Sequence, residues 1–513
     1  MSARRAGARR GASAAALAVL LGTMAGCIHT PPKLYGEAST SPAPEVPWTP
    51  PAKAVAAVQP RSEAPAIPQD LLDRASSLTL LDVVDVALRN SPQTAMAWSE
   101  ARSAAAAYGS QKGTYYPQVN IGAGVTRAEG SLANGAISYY QRSYAPTADL
   151  SWLLYDFGGR EAALAEKRQA LLSADWLHNA SIQSVILQVQ QAFFQYVSAK
   201  ALLSAQEATV KEAETNLASA QELHRAGVAT IADVLQAKTQ LSQAKLAADG
   251  LTGTIQTTRG ALATAMGLPP TVPYDVAMPP TDLPIQETSE AVDRFLEQAQ
   301  AKRPDLAAAR AQVAKARAHV KTIKAEGYPS LSATANLGRT YYDASTMYGN
   351  TYQMGIQLKF PLFTGFSHSY DVVQAKADLQ TAEAQLKSQE QAVDLQVWSS
   401  YYSLKTAEQQ VKTSEDLLQS ATQSHDVALG RYKAGVGTIL DLLTAQAALE
   451  DARGQRIQAL ASWFTALAQL SYSTGTLARD VQALKLNIAP QSAAPSAASP
   501  MAPAPETKKD GQP

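Results

Sequence analysis

The body of this chain is written twice. Tyr116-Pro117 recurs as Tyr328-Pro329 and Pro92 recurs as Pro304, and 329 − 117 and 304 − 92 both give 212. Further on, Ala226-Gly227-Val228-Ala229-Thr230-Ile231-Ala232-Asp233-Val234-Leu235 recurs as Ala434-Gly435-Val436-Gly437-Thr438-Ile439-Leu440-Asp441-Leu442-Leu443, where 435 − 227 gives 208. Phe193-Phe194 with Tyr401-Tyr402, and Gly267 with Gly475, keep that 208. The four-residue change falls between Pro117 and Leu150, and a length change confined to one segment marks a loop. The chain must therefore fold as two like units, over 78–270 and 291–485, joined by a linker over 271–290.

Each unit opens with a helical run, Leu80 to about Gly113 and Ala291 to about Gly327, ended by Gly and Pro. The hydrophobic period then switches to two, giving β-hairpins over about 117–155 and 329–362. Val119, Ile121, Ala123 and Val125 alternate with Gln118, Asn120, Gly122 and Gly124; Ala148, Leu150, Trp152 and Leu154 alternate with Thr147, Asp149 and Ser151. In the second unit Leu331, Ala333, Ala335 and Leu337 face away from Ser332, Thr334, Asn336 and Gly338. Tyr352, Met354, Ile356, Leu358 and Phe360 alternate with Gln353, Gln357 and Lys359. Four strands of about ten residues, apolar on one face only, have the length of transmembrane barrel strands.

A soluble sheet with one wet face would alternate in the same way. Two considerations favour the membrane. Aromatics gather near the strand ends (Tyr144, Trp152, Tyr155, Tyr352, Phe360), as in an interfacial girdle. Four strands also cannot enclose water, since even about eight leave only a side-chain-filled interior. Open edges in lipid would leave backbone groups unbonded at several kcal/mol each, so several copies must share one barrel.

The segments after the hairpins are very long helices. From about Gly159 to Leu223, and from about Ser367 to Leu429, there is no proline and no glycine inside the run. Roughly 65 residues span on the order of 100 Å. Apolar positions run in sevens, step by four, then resume: Leu379, Leu386, Val393, then Val397, Leu404, Val411, Leu418. The first unit has Leu171, His178, Val185, then Val189, Tyr196, Leu203, Val210. A step of four is a stutter, which locally unwinds a left-handed supercoil.

Several function classes are excluded or disfavoured. Lys plus Arg and Asp plus Glu are both 44, so the whole chain offers no electrostatic lure for nucleic acid. The six histidines show no pair at metal-ligand spacing, and His178 on a heptad position reads as packed or tunnel-side. There is no GxSxG, no GxxxxGK and no dinucleotide glycine fingerprint, so neither an enzyme nor a cofactor is expected. Thr30 to about Ser77 is a Pro/Ala-rich tether, and the tail over 486–513 reads as disordered.

The single cysteine, Cys27, sits at the end of a secretory-type segment over 1–26, with Arg4, Arg5, Arg9 and Arg10 before a short small and apolar run. Met24-Ala25-Gly26-Cys27 resembles the lipobox of bacterial lipoproteins, with Met24 where leucine is usual. That resemblance implies cleavage before Cys27, acylation of its thiol and amine, and, with Ile28 rather than Asp following, transfer to outer-membrane lipid. Ordinary signal cleavage beside an incidental cysteine is the alternative; a twin-arginine signal fits the residues after Arg10 poorly.

Tyr328-Pro329-Ser330-Leu331-Ser332 entering a strand and Phe360-Pro361-Leu362-Phe363-Thr364-Gly365 leaving one are specific motifs. Trp152-Leu153-Leu154-Tyr155-Asp156-Phe157-Gly158-Gly159-Arg160 is the looser first-unit counterpart. With the turns at Gly227 and Gly435 they resemble the TolC-like outer-membrane efflux proteins over about 78–485, in their lipidated, drug-exporting branch. The resemblance implies a mainly α fold with transmembrane β. Three protomers would give a twelve-stranded β-barrel on a twelve-helix α-barrel, an exit duct for an efflux or type I secretion system. It places the Gly227 and Gly435 turns where a periplasmic adaptor docks under an inner-membrane pump. It matches Asp441 to a constricting acidic ring, and Tyr432 with Asp233 to a pair linking helices in the closed state. Gly437 stands where a compared family member has arginine, so that charge is missing here. The plainer role for Asp233 and Asp441 is to complement a helix N-terminus. The rival readings are a periplasmic adaptor lipoprotein, which would carry one coiled-coil hairpin between small β-domains, and a structural coiled-coil envelope protein.

Overall fold

A computed structural model describes residues 43–47, 67–132, 137–278, 291–342 and 348–477. Cys27, the segment over 1–26, most of the tether, residues 279–290 of the linker and the tail over 486–513 lie outside them. After a 3-10 turn, Gln69–Arg74, the first unit comprises α1 (Leu80–Asn90), α2 (Pro92–Gly113), β1 (Gln118–Leu132), β2 (Ile137–Tyr155), α3 (Gly159–Arg225) and α4 (Ile231–Ala265). The second repeats it as α5 (Val292–Lys302), α6 (Pro304–Glu326), β3 (Ser330–Tyr342), β4 (Tyr348–Lys359), α7 (Ser367–Lys433) and α8 (Ile439–Ser473). Among the described residues no helix is long and apolar enough to cross a membrane.

Where the sequence suggests one opening helical run per unit, the structure has two. Ser91 ends α1 and caps α2, and Pro92 occupies the first position of α2. Arg303 and Pro304 do the same between α5 and α6. Proline has no N–H to give to a preceding turn, so it starts a helix better than it continues one. Packed structure also reaches beyond the expected unit boundaries. Ile67 and Leu71 are buried, Tyr274 and Val276 are buried at the start of the linker, and Leu78 bridges to Val276.

The long helices α3 and α7 are each 67 residues, about 100 Å. Both stutter positions are core: Val185 and Val189 in α3, Val393 and Val397 in α7. The main core sits midway along α3, where α1 and the C-terminal ends of α4 and α8 converge. There Phe194 stacks on Phe464 with ring centres 4.7 Å apart. Helix α3 is the hub, touching α1, α2, α4, α6 and α8.

The strands pair as one antiparallel sheet in the order β1-β2-β3-β4, and the β2–β3 pair joins the two units. They have 15, 19, 13 and 12 residues, longer than the apolar alternation indicates. The backbone ladder continues past the last alternating residue, because hydrogen bonding between strands does not depend on side-chain polarity.

Two polar residues sit deep on α3. His178 is fully buried, its Nε2 3.0 Å from the Val46 carbonyl oxygen, which settles its heptad position as packed. Asp175 is equally buried, with no hydrogen-bond partner for either carboxyl oxygen among the described residues. Burial pushes its carboxyl from 3.8 up to about 8. In the unfolded chain the group ionises near its ordinary value, so folding binds a proton between those limits and stability falls as pH rises through them. Asp175→Asn removes that dependence. Circular dichroism melts between about pH 4 and pH 8 should show the variant gaining on the parent by up to a few kcal/mol at the upper end. A constant gap across that range would show that Asp175 titrates normally.

Candidate functional site: the strand face and the hairpin turns

Register brings the apolar residues of the four strands into rows. Val119, Leu150, Ala335 and Met354 lie side by side, as do Ile121, Ala148, Leu337 and Tyr352, and Trp152, Ala333 and Ile356 make a third row. Nothing among the described residues covers this face: Val119, Ile121, Val125, Tyr352, Met354, Ile356 and Leu358 are between 64% and 79% exposed. The opposite face carries the polar rows, including Asn120, Asp149, Asn336 and Gln353, with Asn336 Nδ2 donating to Asp149 Oδ1. One side of the sheet is built for an apolar solvent and the other for water.

The strand-to-helix corners are held by the motifs singled out in the sequence. Arg160 donates to the carbonyls of Leu153 (2.6 Å) and Leu154 (2.9 Å), lies over the Tyr115 ring and pairs with Asp156. Asp156 accepts from the Arg160 backbone N–H, and Trp152 Nε1 donates to the Tyr115 carbonyl. The chain reverses there through positive φ at Phe157 (51°) and Gly158 (91°), matched by Gly365 (62°) and Phe366 (67°). A positive φ at phenylalanine is strained, so these corners are fixed by their surroundings and not by local preference. Tyr155, Phe157, Tyr328, Phe360, Phe363 and Phe366 remain exposed around them, an aromatic belt at the helical end of the apolar rows.

At the far end of the long helices, Gly227 (φ 75°) and Gly435 (φ 73°) close two turns of the same design. Left-handed backbone admits glycine without penalty, and the N–H groups of Val228 and Val436 return to the carbonyls of Leu223 and Arg431. Each following helix opens with a capping box. Thr230 N–H donates to Asp233 and Asp233 N–H to the Thr230 hydroxyl; Thr438 and Asp441 repeat the exchange. The capping role weighed for Asp233 and Asp441 is thus present in both. Hydrogen bonds from the Thr438 hydroxyl and N–H hold the exposed Asp441 carboxyl below its ordinary range.

Tyr432 is buried against Ile439 and Leu442, with no hydrogen-bond partner for its hydroxyl among the described residues. Burial, and then the charge of Asp233, raise its pKa. The structure brings Tyr432 and Asp233 near each other without a hydrogen bond between them. At Gly437 an added Cβ would lie 3.0 Å from Arg431 Cβ and 3.2 Å from the Tyr432 nitrogen, so the turn closes tightly over the missing side chain.

Sequence reasoning missed the ties between the two hairpins. Arg453 on α8 pairs with Glu212 on α3 through two hydrogen bonds (3.0 and 3.2 Å). About one turn further along α3, Asn216 Nδ2 donates to Gln446 Oε1 at 2.7 Å, buried. Polar residues gave no apolar signal, although Thr209 and Asn216, both buried, keep the seven-residue step.

The sequence model of the outer membrane efflux protein family matches residues 83–268 and 295–476, the two units of the duplication. Protein CyaE of Bordetella pertussis is 28% identical over 455 residues, spanning 88% of this chain and 91% of its own. Outer membrane protein TolC of Salmonella enteritidis is 25% identical over 403 residues, spanning 74% and 79%. In fold, the chain resembles the outer membrane protein VceC of Vibrio cholerae, with a TM-score of 0.66 at 21% identity over 77% of this chain and 96% of that one. Paired hairpins on a half-apolar sheet and a family match over both units lead to one conclusion: the chain belongs to the outer membrane efflux protein family, TolC-like channels whose work is transport and not catalysis.

Proposed function

We propose that three copies of this chain close a twelve-stranded barrel in the outer membrane and a twelve-helix tunnel beneath it. The carrying observation is the bare apolar face of a four-stranded sheet whose outer strands, β1 and β4, have no further partner among the described residues. Backbone groups on such edges cannot stay unbonded in lipid, and pairing β4 of one copy with β1 of the next satisfies them. The trimer is the exit duct of a tripartite efflux or type I secretion system. Its Gly227 and Gly435 turns meet a periplasmic adaptor coupled to an inner-membrane pump, and acylated Cys27 anchors the tether in outer-membrane lipid. Negative-stain electron microscopy of the detergent-extracted protein should show three-fold particles well over about 100 Å long, tapered at one end. Compact or unassembled particles would remove the shared barrel.

Asp441 is the residue assigned to the constriction. Because its carboxyl is held below the ordinary carboxylate range, its charge persists as pH falls through that range and is lost only below it. Single-channel recordings should show cation preference down to that lower pH, and Asp441→Asn should lack the preference at every pH. Unchanged selectivity in the variant would take Asp441 out of the constriction.

The Glu212–Arg453 pair holds the second hairpin against the first near the turns. Arg453→Glu sets like charges together and should raise conductance by loosening that end. Glu212→Arg placed on the same chain should bring the conductance back. If the single variant conducts like the parent, the pair has no hold on the passage.

A further inference from the structure

Arginine interrupts the apolar face of the sheet toward the strand tips. Side chains alternate along a strand, so Arg127 shares the face of Val119, Ile121 and Val125, and Arg142 shares that of Leu150, Ala148 and Tyr144. Arg339 likewise follows Leu337 on β3. Arg127 and Arg142 stand two residues, about 7 Å of strand, beyond Val125 and Tyr144, with Tyr140 continuing that face past Arg142; Arg339 stands two beyond Leu337, two rows nearer the helices, with Tyr341 past it. The register sets Arg127 directly opposite Arg142. Like charges facing each other across an antiparallel pair are destabilising, yet Glu129 reaches Arg127 only at 4.0 Å, and both side chains are largely exposed. Tyrosines hold the guanidinium groups in place. Arg127 lies 4.9 Å from the centre of the Tyr140 ring, and Arg142 Nη2 donates to the Tyr140 hydroxyl at 3.1 Å. Arg339 lies 4.4 Å from the Tyr348 ring centre and donates through Nε to Asn350 Oδ1 at 2.7 Å.

We propose that Arg127 and Arg142 form a binding site for the phosphate monoester of an acylated sugar lipid in the cell-exterior leaflet. This inference rests on the channel reading, which puts the helices in the periplasm and so points the strand tips outward. Two guanidinium groups opposed across a hairpin bring positive charge and N–H donors together, and an anion bound there lowers their mutual repulsion. A phosphate monoester carries about −1.5 to −2 charges at neutral pH and matches two arginines, whereas a phosphodiester carries one. The acyl chains of the same lipid would lie down the rows of Val125, Ile121 and Val119, exposed immediately below. One molecule would thus meet a charged head site and an apolar tail site on one pair of strands.

The test uses the full-length protein in detergent, offered lipid A bearing its phosphates, enzymatically dephosphorylated lipid A and phosphatidylglycerol in equal amounts, with retention read by native mass spectrometry. Phosphorylated lipid A should be retained preferentially by the parent. The double variant Arg127→Gln, Arg142→Gln should retain at least about ten-fold less, the loss expected for two charge-assisted contacts. Assembly on a gel and single-channel conductance should be those of the parent. Equal retention by parent and variant overturns the site, and equal retention of either competing lipid by the parent overturns its assignment to the phosphate monoester. A conducting trimer that fails these measurements leaves the channel standing without the lipid site. A chain that forms no conducting trimer removes both.

Discussion

A β-strand in hydrocarbon must spend every backbone hydrogen bond on another strand, since no water is present to take one up. That constraint organises this molecule. The ladder from β1 to β4 satisfies the inner edges of the sheet within one protomer. The two outer edges are the debt that assembly must settle. The same sheet presents rows of apolar side chains outward and Asp149, Asn336 and Gln353 inward. A sheet so divided needs an apolar medium on one side and water on the other, which a membrane supplies, and a water-filled interior requires more strands than one chain supplies. The helices inherit this geometry. Each strand pair delivers a long helix at a corner with strained backbone at Phe157 or Phe366, the first also held by Arg160, so the placing of the strands dictates the placing of the helices.

Duplication supplies the strands economically, and one departure from it falls at the turns. His224 and Tyr432 occupy equivalent places before the two turns, since 432 − 224 is the repeat spacing of 208. His224 is exposed, its Nδ1 2.9 Å from the Ala229 carbonyl oxygen, while Tyr432 is buried under Ile439 and Leu442. Ala229 is matched by Gly437, where an added Cβ would press on Arg431. Two turns of one design therefore pack differently, and the second buries an aromatic side chain where the first leaves a histidine exposed.

Much of this was legible in the sequence. Period two located four strands and the correct faces, and the repeated Gly-turn-Asp motif located the ends of the hairpins. The step of four in the heptads fell on Val185–Val189 and Val393–Val397, which are core in the structure. What escaped was whatever carried no apolar signal. Helix breaks at Ser91 and Arg303 hid inside helical periodicity because a proline at the first position of a helix looks, in sequence, like a proline within it. The apolar alternation stopped short of the outer halves of β1 and β2, which the hairpin over about 117–155 spans, because their pairing is backbone to backbone. The ties from Glu212 and Asn216 to α8 were invisible because Glu, Arg, Asn and Gln ordinarily mark solvated positions.

Those polar ties answer a problem that long helices rich in alanine create. Small side chains allow close approach but discriminate poorly between one register and the next, since sliding by a turn costs little apolar contact. A buried hydrogen bond such as Asn216 to Gln446 discriminates strongly, because a slipped register leaves both amides unbonded at about 1–3 kcal/mol each. Placing that bond and the Glu212–Arg453 pair toward the turns fixes register where the hairpins are farthest from the barrel that aligns them at the other end. A helix of 67 residues is thereby pinned at both extremes, at its corner by Arg160 and near its tip by Asn216. The tip attachment is the weaker of the two, being two side-chain contacts and not a hydrogen-bonded sheet. The packing within the protomer therefore holds the helices less firmly toward the turns than at the sheet.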